Sequence, residues 1–287
     1  MSDGETMLAD QPGQFAQVVS DGHKVPDVEW VSGRLLLSNR RLVLATKEGK
    51  RTIPLKKVHS IKGRQDVNET LAQVSGYLSV QVGKDVTLVS PKDQDSFEQS
   101  MYGAILDQQV VLAKHPAVEG GVVQDTAWEK GRLKVEDGGV DLAIASGAFV
   151  EIDIDEVGTV EEGTQTVQGK ERLVIEVEHT DEATAVQTHI SGAKRHVKVL
   201  ASLLRKGEAK NTTDVELSDD ETEVLMALYS GVSPFQIPEF TGMDVDHVEA
   251  LFDQLVEQGI LEEKRVRRSV SLKARGRNIA AEAMGEE

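Results

Sequence analysis

The sequence contains no cysteine, which removes disulfides, thiolate zinc sites, iron–sulfur clusters and a thiol nucleophile. Aromatic residues make up only 4% of 287 positions, so the cores must be built from aliphatic side chains. Uninterrupted apolar runs are a few residues long, far short of the roughly 20 that cross a bilayer. Bases are scarce as well: 32 Lys and Arg stand against 49 Asp and Glu, a net charge of −17. Taken whole, such a chain is a poor general ligand for nucleic acid or anionic membrane. Its first residues, Met1-Ser-Asp-Gly-Glu, are acidic where a signal peptide would be basic, and the expectation is a cytoplasmic protein. What remains is globular composition, 39% hydrophobic and 28% charged, enough for a core and for two ordinary domains or three small ones.

Both tryptophans sit in one hexapeptide frame. Trp30-Val-Ser-Gly33-Arg34-Leu35 recurs as Trp128-Glu-Lys-Gly131-Arg132-Leu133, 98 residues later. The first copy is followed by a strand pattern at Arg40–Ala45, a turn at Glu48-Gly49, and a second strand from Ile53 through Leu55 to Val58 and Ile61. Val140–Ile144 and Phe149–Ile154 repeat that plan. Each unit ends in a helical stripe: Phe97, Met101, Ala104, Ile105 and Gln108 in the first, Val197, Leu200, Ala201 and Leu204 in the second. The offset of 98 pairs Met101 with Val199 and Leu106 with Leu204. The expectation is a duplicated domain, short antiparallel strands closed by one helix, similar to the pleckstrin-homology-like (PH-like) superfold. Residues 1–116, including an amino-terminal extension, form the first copy and 117–212 the second.

Lys206-Gly207 to Thr213 is polar and aperiodic, a linker pattern. Beyond it the period turns helical. Ser218-Asp-Asp-Glu221 is a capping box before Val224, Leu225 and Leu228, and Gly231 stops that helix. Ser233-Pro234 opens a short helix that Thr241-Gly242 ends. A third runs from about Asp244 to Gln258, with Val248, Leu251, Phe252 and Leu255 inward. Ile260–Leu272 reads as a hairpin and Lys273 begins a last helix, which is the order of a winged helix over 213–287. The fold class is therefore α+β: tandem PH-like domains followed by a winged-helix domain.

A winged helix commonly puts its third helix into the DNA major groove. Here that helix exposes Asp246, His247, Glu249, Asp253 and Glu257, and residues 213–263 hold 14 acids and no base. Duplex DNA, with roughly one negative charge per 1.7 Å, repels such a helix. A transcription regulator touching DNA through the basic wing Lys264–Arg268 is the alternative reading, but phosphate contacts alone carry no sequence information. The acidic helix suits a protein contact better.

Charge is segregated along the chain. Residues 33–64 carry ten bases against Glu48, 117–192 carry 17 acids against five bases, 193–212 return to +5, and 264–277 reach +7. Blocks of this size favour electrostatic docking between subunits or partners, and a homodimer pairing the +9 and −12 blocks is expected. Arg40, Arg41, Lys56 and Lys57 flank strands and are the candidate basic contacts; Asp246, Glu249 and Asp253 are the acidic ones.

Signals for chemistry are weak. No two of the seven histidines are spaced i, i+4. Asp153-Ile-Asp155-Glu156 opens like a calcium loop, yet Val157 and Thr164 occupy its fifth and twelfth positions, where ligands are needed. There is no phosphate-binding loop ending in Lys-Ser or Lys-Thr and no Gly-x-Ser-x-Gly elbow. No enzyme, metal or cofactor is expected.

Three stretches carry a resemblance to the archaeal taxis protein CheF family: Trp30-Val-Ser-Gly-Arg-Leu-Leu-Leu-Ser-Asn-Arg-Arg-Leu-Val-Leu, Lys50-Arg-Thr-Ile-Pro-Leu-Lys-Lys-Val and Gln258-Gly-Ile-Leu-Glu-Glu-Lys. The likeness runs from about residue 15 to 283. It implies a non-enzymatic adaptor between the phosphorylated response regulator CheY and the switch proteins of the archaellum motor. No family motif assigns contact residues, so the candidates above rest on charge and pattern.

Overall fold

The computed structural model describes residues 4–26, 28–62, 76–181, 184–211 and 217–261. Residues 1–213 form one compact unit and 214–287 another, and the architecture is α+β.

The first unit holds two curled antiparallel sheets. One comprises β1 (Met7–Ser20), β2 (His23–Lys24), β3 (Val31–Ser38), β4 (Arg41–Ala45), β5 (Lys50–Pro54), β6 (Val58–Lys62), β7 (Leu78–Val82) and β8 (Asp85–Pro91), followed by helix α1 (Gln94–Leu106). The other comprises β9 (Val110–Glu119), β10 (Val122–Val123), β11 (Glu129–Glu136), β12 (Gly139–Ile144), β13 (Phe149–Asp153), β14 (Val157–Val167), β15 (Lys170–Asp181) and β16 (Thr184–Ser191), followed by α2 (Lys194–Asn211). Their strand orders match one for one: β5-β4-β3-β1-β8-β7-β6 and β13-β12-β11-β9-β16-β15-β14. The duplication signalled by the tryptophan frame is thus present in the topology.

The frame has a packing reason. A Cβ on Gly33 would stand 2.3 Å from the Ala45 carbonyl, and one on Gly131 2.6 Å from Leu142 Cδ1. Leu35 and Leu133 are fully buried, and Trp30 tilts against Tyr77 as Trp128 does against His189. The offset does not stay at 98. Phe97 N donates to Asp93 O and Val197 N to Ala193 O, so the helices' first turns lie 100 apart and Met101 aligns with Ala201 rather than Val199. The amino-terminal stretch is no mere appendage: β1 lies mid-sheet, paired with both β3 and β8. The expected strand from Ile53 to Ile61 breaks at a 3-10 turn, Leu55–Lys57, where Leu55 turns into the core while Lys56 and Lys57 stay in water. Helix α1 buries Phe97, Met101 and Ile105 but ends at Leu106, leaving Gln108 outside it at φ 62°.

The helices join the halves. α1 packs on α2 and on β11, while α2 packs on β6 and β14, and buried residues from both sheets form one core. Leu133 N donates to Gln109 O (3.0 Å), and Lys206 Nζ meets the buried Glu98 carboxylate at 2.8 Å. Gly207, expected in a linker, lies inside α2. A Cβ there would fall 1.8 Å from Ile154 O, so glycine is what allows the helix to approach the second sheet.

The second unit begins with α3 (Asp219–Tyr229), opened by the expected capping box of Ser218 and Glu221. Gly231 follows at φ 82°. A 3-10 turn at Pro234–Gln236 leads into α4 (Ile237–Thr241), ended by Gly242 at φ 74°. Asp244 caps α5 (Val245–Glu257) by accepting Asp246 N–H. Val224, Ala227, Ile237, Val248, Leu251 and Leu255 form its core, with Phe252 half-buried. The expected hairpin beyond Leu261, the wing Lys264–Arg268 and the last helix lie outside the described residues.

Candidate functional site

The basic candidates fall into two groups. Arg40 and Lys56 border a notch of about 350 Å³ together with Arg195 of α2. Arg41 is engaged elsewhere: its Nε and Nη2 donate to the two carboxylate oxygens of buried Glu5, each at 2.8 Å. Glu5 also accepts from Ser38 Oγ at 2.8 Å. Lys57 is exposed on the same 3-10 turn as Lys56.

Sequence reading missed Arg195. Its Nη1 donates to Leu55 O at 3.0 Å, across the boundary between the repeats, and burial holds its pKa below the usual arginine value. Arg195 also lines a second cleft, about 630 Å³, between β6, β7, β14 and α2. Lys194, Lys198 and Arg205 line that cleft as well. Glu162, the acid in its wall, is paired with Arg205 at 2.7 Å. The +9 and +5 blocks, far apart in sequence, therefore meet at one arginine.

The second repeat carries the opposite sign at the equivalent notch. Asp137-Gly138, Ile154-Asp155 and Asp95 stand where the first has Asn39-Arg40, Leu55-Lys56 and Arg195. Beyond them Glu136, Asp141, Glu151 and Asp153 converge around the β11–β12 turn. Burial, with Glu136 and Glu151 nearby, holds Asp141 above the usual carboxylate range.

On the second unit Asp246, Glu249 and Asp253 all point into solvent from α5, which carries no base. His247 Nε2 lies 2.8 Å from Asp220 Oδ2. The same unit exposes Phe235 by 88%, Tyr229 by 82%, Met226 by 66% and Phe240 by 64%. Near the start of α5, Met243 packs partly against the core and Val245 is exposed.

Among the described residues no group of three or more His, Asp or Glu is arranged to hold a metal ion, and no helix is long and apolar enough to cross a membrane. Two histidines do cluster inside the second sheet's curl. His115 Nδ1 and His179 Nε2 both contact buried Thr188 Oγ1, at 2.7 and 2.9 Å. Burial pushes both pKa values below the ordinary histidine value, for His179 with help from His115.

Comparison with known proteins adds the following. The family model described as archaeal chemotaxis signal transduction system protein F matches residues 7–210. A domain family of unknown function matches 216–285. The taxis protein CheF1 of Halobacterium salinarum is 48% identical over the whole of both chains. The taxis protein CheF2 of the same organism is 29% identical, covering 83% of this chain and 87% of its own.

Proposed function

The chain belongs to the archaeal chemotaxis signal transduction protein F family, and from that membership we propose that it is a non-enzymatic taxis adaptor. It receives the phosphorylated response regulator CheY and relays its state to the archaellum motor's switch proteins, on the cytoplasmic side. The tandem helix-closed sheets support a PH-like reading of the first unit, and α3 to α5 a winged-helix reading of the second.

The regulator meets the second unit. The observation that carries this is the combination on one small unit of outward Asp246, Glu249 and Asp253 with the exposed Met226, Tyr229, Phe235 and Phe240. Exposed apolar surface, where it is contiguous, marks protein contact sites. Burial of such groups gives affinity, while rim acids choose the partner's sign and steer its approach. The basic face with Arg40, Lys56 and Lys57 meets an acidic motor component, Arg41 contributing less because Glu5 already occupies its guanidinium. Two chains associate as a homodimer in which opposite blocks of the two repeats pair.

The test is binding of purified regulator, with and without beryllofluoride as acyl-phosphate mimic, to the full chain and to its Glu249→Lys/Asp253→Lys variant. Activation-dependent binding that the variant loses supports the reading. Equal binding by both chains refutes this placement of the regulator.

A further inference from the structure

The cleft between α2 and β6 has features that packing alone does not require. Lys194, Lys198, Ser202 and Arg205 lie in its wall at i, i+4, i+8 and i+11, so they form one stripe along α2, about 16 Å long at 1.5 Å per residue. Arg195 stands beside the stripe, half-buried, its guanidinium bonded to the Leu55 carbonyl and His196 and, among the described residues, to no carboxylate. Among the described residues Lys194 and Lys198 have no ion-pair partner. The duplication provides an internal control. At the positions equivalent to Lys194, Arg195 and Lys198, α1 carries Gln94, Asp95 and Glu98, so this fold accepts neutral or acidic groups where the second helix holds three bases. Only Arg205 has its charge answered within the cleft, by Glu162. Among the described residues the other three cations of this concave slot face no carboxylate, which suits an anionic ligand.

We propose that this cleft is a recognition site for a short acidic peptide segment, bound extended along the stripe with its carboxylates on Lys194, Arg195 and Lys198. About five extended residues span 16 Å at roughly 3.3 Å each. The occupant must be short, because a chain of net charge −17 repels a long polyanion while a local positive cleft still attracts within a Debye length of about 8 Å. It is a protein segment rather than a membrane surface: the site is concave, and its walls present no large exposed apolar side chain to enter a bilayer. On the far side of Arg195 the notch with Arg40 and Lys56 extends the same positive field. This site stands on the cleft itself and is independent of the motor contact.

The experiment titrates the full chain with a fluorescein-labelled pentaglutamate peptide, followed by fluorescence anisotropy. Lys194→Glu/Lys198→Glu should weaken binding at least tenfold. Lys47→Glu/Lys50→Glu, an equal charge change at the exposed β4–β5 turn on the opposite edge of the first sheet, should weaken it less than twofold. Carbodiimide coupling to the unmodified chain should join the peptide to Lys194 or Lys198, a result that does not depend on how the variants fold. No binding, equal loss in both variants, or coupling spread over other lysines overturns the proposal. So does peptide binding untouched by the cleft variant while binding to phosphatidylglycerol vesicles is lost, which would make the cleft a headgroup site.

Discussion

Single residues carry the sharpest physical constraints in the first unit. Gly207 is buried in α2 with the Ile154 carbonyl 1.8 Å from where a Cβ would sit. A backbone atom cannot swing aside as a side chain can, so Gly207→Ala should cost about 1–3 kcal/mol by overpacking. Gly163→Ala, with open space around it, should change stability by less than about 0.5 kcal/mol; denaturant midpoints of the two variants check the contrast. His115 and His179 test a second constraint. Both have folded pKa values pushed below the unfolded value near 6.5, so the folded chain resists their protonation. Their effect is absent above that pH and becomes destabilising as pH falls through it. The denaturation midpoint should therefore drop between pH 7 and 5, and His115→Gln/His179→Val should flatten that fall. The first sheet shows the substitution is compatible with the plan, because Gln17 contacts Thr87 there as His115 contacts Thr188.

At the scale of elements, the second unit's helices follow local rules that the sequence states openly. Ser218 and Glu221 complete their capping box, in which the Ser218 N–H and hydroxyl hold Glu221 below the usual carboxylate range. Ser218→Ala should lower the stability of this unit by about 1 kcal/mol, read from its unfolding by hydrogen exchange of α3. Glu249→Lys/Asp253→Lys should leave α5 helical by circular dichroism, since both side chains lie off the stripe of Val248, Leu251 and Leu255. These features were legible because capping, glycine stops and a 3.6-residue stripe are short-range signals. The sheets were only half legible. The frame around Trp30 and Trp128 disclosed the repeat because Gly33 and Gly131 each face a close neighbour, the Ala45 carbonyl in one copy and the Leu142 side chain in the other. The central strand β1 left no comparable trace: both its faces are partly covered, so apolar and polar residues do not alternate cleanly. Gly207 read as a linker signal because the carbonyl that demands it lies 53 residues away in sequence.

For the whole molecule, the proposed function depends on charges whose meeting no linear reading can show. The sequence displays a +9 block and a +5 block separately, and Arg195, bonded to Leu55 O, joins them. Equivalent notches in the two repeats then carry opposite signs. For the proposed homodimer, light scattering at micromolar concentration and native salt should give twice the chain mass, and a monomer would remove that part of the account. The central claim is that one chain links an activated regulator to the motor. It is tested most directly by immobilising the motor's switch proteins and asking whether they retain purified CheY. The account predicts retention only when this chain and beryllofluoride are both present, lost with Glu249→Lys/Asp253→Lys. Retention of the regulator without this chain, or retention through it regardless of beryllofluoride, would contradict the account.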